Sequence, residues 1–589
     1  MSPPVELRTI TEALDRAAQR KDAGFTFVRD DASERTLTYA ELALATKKIA
    51  AALQQLGVRK GERVALVLPA ADEFVPAFLG VVRSGAIPVP LYPPIGIGQL
   101  GGYLDHAKHI VGAARASVVV TNGQIKSVLG KLHDTVPELR LMLTMAELDG
   151  DAQLFREPGA TAEDTCFLQF TSGSTSKPKG VVVTHANLSY NCHAVMREGL
   201  ASNEADRGVS WLPLFHDMGL IGFVLAPIHH IVPVTFMSPL MFLKRPASWL
   251  EYLSKHRGTI TYGPNFSYAI TTKRVRDSEL EGLDLSCVRI AGCGAEPIQA
   301  DTLRAFAKRF GAVGFRADAF VPSYGMAENT LAIAFASGIV TDVVAADTLW
   351  SAGHAKASAL GSDEETVEIV GCGKAFADHE IRIVDAETRA PLEERRVGEI
   401  EIRGPSVMPG YYEETKRTAE VLDKEGWLKT GDLGYLAKDE IYICGRKKDV
   451  IIVNGKNYYP QDLEWVANEI EGIRAGNAIA FASHKAGLGR ETVVVVAETR
   501  EAEGRDELAR KVATAIQQST GLTVDDVAIV DVGTIPKTSS GKLQRARARE
   551  LYERGELRPK KDDGKMRTAA HVVESQLAHL RLRIFGPRS

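Results

Sequence analysis

Phe170-Thr171-Ser172-Gly173-Ser174-Thr175-Ser176-Lys177-Pro178-Lys179-Gly180 is the stretch on which the reading of the fold turns. It is entered from the apolar run Thr165 to Phe170 and left through Val181 to Thr184, and both runs read as β-strands. Glycine lets backbone amides approach phosphate oxygens, and the surrounding hydroxyls donate further hydrogen bonds. Lys177 and Lys179 add positive charge. The spacing is not the GxxxxGK[ST] of a Walker A loop. A flexible Ser/Gly connector is the bland alternative, and the apolar strands that flank the loop directly argue against it.

Working outward, short β-like runs alternate with helical patterns. Arg63 to Leu68 reads as a strand, Glu73 to Arg83 as a helix ending at Ser84-Gly85, Ala86 to Leu91 as a strand cut by prolines, and Ser117 to Thr121 as another strand. This rhythm predicts an α/β fold of stacked sheets. Beyond Glu399 the texture changes. Glu399 to Arg403, Tyr435 to Cys444 and Val450 to Val453 look like antiparallel strands. A helix over Pro460 to Ile470, a strand over Thr492 to Glu498 and a helix over Glu507 to Thr520 make a small α+β unit. The main boundary falls near Arg446 to Asp449, dividing an N-terminal domain, 1–445, from a C-terminal domain, 446–557. In the remaining 558–589, Arg558 to Lys565 reads as a linker. Met566 to Phe585 keeps Ala569, Val573, Leu577, Leu580 and Ile584 at amphipathic helical spacing.

The 589 residues suffice for several lobes with a large core. Lys plus Arg number 71 against 75 Asp plus Glu, so no general basic field exists and bulk nucleic-acid binding is not expected. An anionic substrate must be held by local groups. The six cysteines form no CxxC pair, which argues against zinc or a disulfide framework and fits a reducing cytoplasm. Met1 to Arg20 is broken by charges and does not read as a signal peptide. No apolar stretch is long enough to span a bilayer, so an integral membrane protein is not expected; Ile221 to Ile228 reads as buried helix or strand.

Several further motifs carry polar chemistry, each with a bland counterpart. Pro536-Lys-Thr-Ser-Ser-Gly-Lys542 places a lysine after a glycine turn, where it can reach a carboxylate or phosphate, although most surface lysines are simply solvated. Tyr324-Gly325-Met326-Ala-Glu328 offers an aromatic ring for adenine and a carboxylate for magnesium. Thr430-Gly-Asp432 suits two ribose hydroxyls or is a plain hairpin turn. Gly445-Arg446-Lys-Lys-Asp449 is either a set of nucleotide contacts or a charged linker, and Cys293-Gly-Ala295-Glu296-Pro could line a nucleotide with its backbone. Trp211-Leu-Pro-Leu-Phe-His216-Asp217 has no nearby nucleophile to make a triad. His229-His230 lacks other metal ligands and reads as packing or pocket wall.

Taken in order, the hydroxyl-rich loop, YGxxE, TGD, GRxKD and SGK resemble the adenylate-forming superfamily of acyl-CoA synthetases, luciferases and peptide-synthetase adenylation domains, from Leu37 to Arg545. Three features resemble its fatty acyl-AMP ligases. These are Gly85-Ala-Ile-Pro-Val-Pro-Leu-Tyr-Pro-Pro94, Gly455-Lys-Asn-Tyr-Tyr-Pro-Gln-Asp-Leu-Glu464, and a long stretch between Glu328 and Gly371, including Thr341 to Glu368, similar to an insertion that these ligases carry.

The resemblance implies a large N-terminal domain of stacked α/β layers and a small mobile α+β C-terminal domain. It implies ATP- and Mg2+-dependent conversion of a fatty acid to acyl-AMP with release of pyrophosphate, then transfer to the phosphopantetheine of an acyl carrier protein. By motif, Thr171, Ser172, Gly173, Ser174, Thr175 and Lys179 would embrace the triphosphate, and Ala295, Glu296, Tyr324, Gly325 and Met326 would line the nucleotide. Glu328 would hold magnesium, Asp432 and Arg446 the ribose, and Asp449 would be the hinge. Lys542 would contact the acyl carboxylate and α-phosphate, with His216 near the carboxylate and Trp211 and Met237 in the acyl channel wall. Ser176 departs from the glycine of many relatives. An acyl-CoA ligase would share every ATP motif. An amino-acid-activating domain would present an aspartate to the amine, which Phe215-His216-Asp217 does not match. A non-catalytic scaffold predicts loss of Glu328 or Lys542, and both are present.

Overall fold

The structure, a computed structural model, describes residues 5–94, 100–171, 178–359, 361, 364–453, 456–483, 492–501, 503–538 and 541–557. Ser172, Gly173, Ser174 and Thr175 of the hydroxyl-rich loop, and the linker and helix expected over 558–589, lie outside the described residues.

The N-terminal half is built from layered sheets. One has four parallel strands in the order Ile87–Pro90, Arg63–Val67, Val118–Thr121, Leu141–Thr144. Its middle strands are near-continuous runs of Val, Ala and Leu, buried almost throughout, as a parallel sheet covered on both faces requires. Helix Ala71–Arg83 makes the crossover between the first two and begins two residues earlier than expected. The second sheet has nine strands, and its centre is parallel from Gly24–Val28 through Val234–Phe236, Gly208–Ser210, Ile260–Gly263 and Ile290–Cys293 to Phe320–Gly325. The run Ile221 to Ile228 is a buried π-helical turn, Ile221–Leu225, leading into helix Ala226–His230. Thr165–Phe170 and Gly180–Thr184 form an antiparallel pair that brings Thr171 and Lys179 together at the base of the loop.

A third sheet is antiparallel, in the order Glu380–Val384, Gly398–Arg403, Leu428–Ala437, Glu440–Arg446. The single strand run expected over Tyr435 to Cys444 is therefore two strands. Lys438 and Asp439 form the turn, both with positive φ (54° and 63°), a conformation that two-residue hairpins need and that Asn-Gly or Asp-Gly usually signals. Downstream, strands Ile473–Ser483, Thr492–Thr499 and Asp526–Asp531 pack with helices Pro460–Glu469, Arg505–Thr520 and Arg545–Glu553.

The described residues after Glu328 form regular elements. Strand Thr341–Ala345 pairs with Thr366–Val370 and carries helix Ala346–Ala352 between them. Its apolar residues Val344, Leu349 and Trp350 share one core cluster with Tyr435, Tyr442, Tyr458 and Leu463. Polar contacts reach both ways. Glu368 pairs with Arg304 at 2.6 Å, Asp342 accepts from the Tyr435 hydroxyl at 2.8 Å, and Asp347 pairs with Lys456 at 2.6 Å.

Candidate active site

Strand Phe320–Gly325 delivers the first group of site residues. Its register against Ala332–Phe335 shifts between Tyr324 and Gly325, and such a bulge re-aims the side chains that follow. A 3-10 turn, Ala327–Asn329, then carries Glu328, and Thr330 after it sits at φ 65°, ψ −64°. Ala295 also holds a positive φ, 69°. Two non-glycine residues in costly backbone conformations beside one cavity mark a locally over-determined site.

Asp432 and Arg446 face each other across the antiparallel pair Leu428–Ala437 and Glu440–Arg446. Thr430-Gly431-Asp432 is thus part of a strand, with Gly431 at φ 72° and the Thr430 hydroxyl accepting from the Asp432 amide at 3.0 Å. The buried Asp432 carboxylate accepts from the Tyr324 hydroxyl at 2.8 Å and pairs with Arg446 Nε at 3.0 Å. A carboxylate has about four lone-pair sites, so two remain for neighbouring hydroxyls. The Asp432 charge holds the Arg446 guanidinium above its ordinary value.

Glu328 accepts from the Tyr411 hydroxyl at 2.9 Å, and the Lys179 ammonium lies 4.6 Å from the centre of the same Tyr411 ring. Burial pushes the Glu328 carboxyl up, with the Tyr411 bond opposing. Tyr411 was not singled out in the sequence; only its neighbour Gly410, with no accompanying period, could have drawn attention to it. Glu296 accepts from the Phe266 amide at 2.6 Å, and burial raises its carboxyl, with Lys542 opposing.

Thr171, Lys179, His216, Ala295, Glu296, Tyr324, Gly325, Met326, Glu328, Asp432, Arg446 and Lys542 all line one cavity of about 970 Å³. Lys542 is half-buried there. Burial lowers its ammonium, while the charges of Asp217 and Glu296 pull it back up. His216 Nδ1 pairs with Asp217 Oδ1 at 2.5 Å. Burial alone would raise Asp217, and the charges of His216 and Lys542 outweigh it. The His216-Asp217 pair, which lacks a nucleophile for a triad, is thus brought beside Lys542. The same cavity continues into an apolar branch lined by Val195, Met196, Phe223, Val232, Ile260 and Leu331. Trp211 and Met237, expected on that channel, line instead a second cavity of about 1710 Å³ between the C-terminal strands and the large sheets. Trp211 is drawn there by its stack on Phe242, centroids 4.1 Å apart. His229 and His230 line neither cavity, and burial pulls both imidazoles down to about 3.

Stacked α/β layers and a smaller α+β unit around one such cavity make the architecture of an adenylate-forming enzyme. The AMP-binding enzyme family profile matches residues 14–412, and the profile of the Disco-interacting protein 2-like AMP domain matches 448–562. A protein of Caulobacter vibrioides with the provisional name acyl-CoA synthetase is 37% identical over 93% of this chain and 96% of its own length. The medium-chain-fatty-acid–[acyl-carrier-protein] ligase JamA of Moorena producens is 32% identical over 95% of this chain and 97% of its own. A solved structure from work on fatty acyl-adenylate ligases of E. coli and L. pneumophila superposes with a TM-score of 0.87 at 36% identity, over 94% of this chain and 99% of that one. The chain belongs to the AMP-binding enzyme family and, within it, to the fatty acyl-AMP ligases: it is an adenylating enzyme. No described helix is long and apolar enough to cross a membrane.

Proposed function

We propose that this chain activates a fatty acid with ATP to acyl-AMP, releasing pyrophosphate, and passes the acyl group to the phosphopantetheine thiol of an acyl carrier protein. The observation that carries the first step is that Lys542 lines one cavity with Asp432, Arg446 and an apolar wall suited to an alkyl chain. Attack of a carboxylate on the α-phosphate brings two anions together. Lys542 shields both and stabilises the charge of the pentavalent phosphorus. Asp432 takes the ribose hydroxyls on its two remaining lone-pair sites, and Lys179 meets the phosphates. His216, oriented by Asp217, sits toward the acyl carboxylate.

Magnesium fits Glu328, whose half-buried carboxylate is fixed by Tyr411 and would supply one hard oxygen. Among the described residues no three His, Cys, Asp or Glu side chains cluster as a metal site, and Mg2+ typically takes one or two carboxylates with water and substrate phosphates. Held by Glu328, the ion would supply positive charge beside the pyrophosphate.

The division at Arg446 to Asp449 makes the C-terminal unit a lid. Asp449, as hinge, is held by Arg545 at 2.8 Å, and Arg545 also binds Glu464 at 2.6 Å. Lys542 stands three residues before Arg545, so the hinge and the reacting lysine share one anchor. Carrier-protein transfer over CoA is favoured by the Thr341 to Val370 stretch. It packs against both units and biases the lid toward the acyl-AMP-forming pose. JamA, a relative over nearly the whole chain, is a carrier-protein ligase by name. An acyl-CoA ligase is the alternative. Pyrophosphate release measured with and without a fatty acid tests the first step: release independent of the acid would reject it.

A further inference from the structure

The cavity residues do not account for one buried charge. Glu498, near the end of strand Thr492–Thr499, has a fully buried carboxylate. Its Oε1 accepts from the backbone amides of Gly533 at 2.9 Å and Ile535 at 3.1 Å. Its Oε2 accepts from Arg474 Nη1 at 2.6 Å. Arg474 also reaches Asn477 Oδ1 at 3.1 Å, and Lys537 Nζ donates to that same oxygen at 2.6 Å.

Both amides and Lys537 belong to one segment, and that segment ends in Lys542. Lys537 bridges to Leu543 across a short antiparallel turn. Within the turn the Thr538 amide donates to the Lys542 carbonyl at 2.7 Å, and the Lys542 amide donates to the Thr538 hydroxyl at 3.0 Å. Glu498 thus holds the approach to the lysine turn directly and its first strand through Arg474, Asn477 and Lys537. A buried carboxylate is costly unless fully partnered, and here its partners converge on the segment that must aim an ammonium into the site.

We infer that Glu498 is a positioning residue for Lys542: through the Gly533 and Ile535 amides and the Arg474–Asn477–Lys537 chain it fixes the turn that places the ammonium for adenylation. The inference rests on the reading of Lys542 given above.

The test uses Glu498→Gln and Lys542→Ala, alone and combined, in the full chain, with dodecanoate, ATP and pyrophosphate release as readout. Glu498→Gln should lower kcat about 10-fold while KM for ATP stays within about 2-fold, the pattern of an interaction realised in the transition state. The double variant should be no slower than Lys542→Ala alone, because residues acting as one unit are not additive. Lys537→Met, which breaks the outer arm and leaves the buried carboxylate in place, should give a smaller loss that also vanishes in the Lys542→Ala background. It keeps the question decidable if Glu498→Gln does not fold. A further multiplicative loss in the double variant, or a proportional rise in KM, would overturn the inference. So would full activity of Glu498→Gln beside an impaired Lys542→Ala. Full activity of Lys542→Ala would remove the reading beneath it.

Discussion

The indole of Trp350 lies 5.3 Å from the ring of Tyr458, centroid to centroid, and joins the stretch after Glu328 to the small C-terminal unit. Trp350 sits on helix Ala346–Ala352 and is buried; Tyr458 closes the short strand Lys456–Tyr458. Aromatic pairs of this kind add about 0.5–1.5 kcal/mol beyond the area they bury. The neighbouring Lys456–Asp347 pair, 2.6 Å apart, is largely exposed and screened by solvent. On the proposed reading, such a contact would disfavour several-fold any pose of the C-terminal unit that separates the two rings.

Trp350→Ala should therefore loosen the lid without touching the nucleotide cavity. Acyl-AMP formation is expected to persist, and acyl-CoA formation, expected to be negligible in the wild type, should become measurable with CoA in excess. Deleting 341–361 should act in the same direction. Unchanged acyl-CoA output in both variants would detach this stretch from the choice of acceptor.

Lys542→Ala should slow acyl-AMP formation about 10²–10³-fold, the loss typical of one oriented donor to a charged transition state. The alkaline limb carries a second check. Because burial lowers the Lys542 ammonium, it loses its proton below the ~10.4 of a free lysine. Adenylation should fall as pH rises through that lowered value, and Lys542→Arg, always protonated, should extend the active range upward.

Asp432→Ala should raise KM for ATP about 10-fold or more, since hydrogen bonds to a charged group are lost and Tyr324 and Arg446 lose their shared partner. Glu328→Ala should instead raise the magnesium concentration needed for half-maximal rate. Normal ATP affinity and magnesium dependence in both variants would place the nucleotide elsewhere.

Asp462 gives a pH prediction for stability. It is buried beside Trp350, whose indole N–H faces it without a well-formed hydrogen bond. Burial pushes its carboxyl up to about 7, with Trp350 opposing and Glu464 adding. The folded state thus holds this proton more tightly than the unfolded chain, whose aspartate titrates near ~3.9. Stability falls as pH rises between those values, and the penalty is complete above about 7. Asp462→Asn should raise Tm by about 2 °C or more at pH 8, with the gain shrinking toward pH 4. A pH-independent difference in melting would contradict the shift.

Much of this was legible in the residues alone. Arg63–Val67 and Val118–Thr121 are short apolar runs with turn residues at their ends, and they form adjacent parallel strands. Tyr324, Glu328, Asp432 and Lys542 announce themselves because their motifs pair a reactive side chain with a glycine that shapes the chain around it. Tyr411 and Glu498 do not. Each acts through a partner more than thirty residues away, and a tyrosine after a loop or a glutamate in a strand carries no local pattern. The Lys438-Asp439 turn was hidden because neither residue is glycine. Trp211 and Met237 went to the other cavity because an apolar side chain alone does not say which of two apolar walls it joins.

Mass spectrometry of the products tests the central claim most directly. The enzyme is incubated with ATP, magnesium, a mixed panel of fatty acids and excess CoA, and acyl-AMP and acyl-CoA are read together. The account predicts acyl-AMP that depends on both ATP and acid, with little acyl-CoA. Robust acyl-CoA would contradict the carrier-protein assignment, and the absence of any acyl-AMP across the panel would contradict fatty-acid adenylation itself.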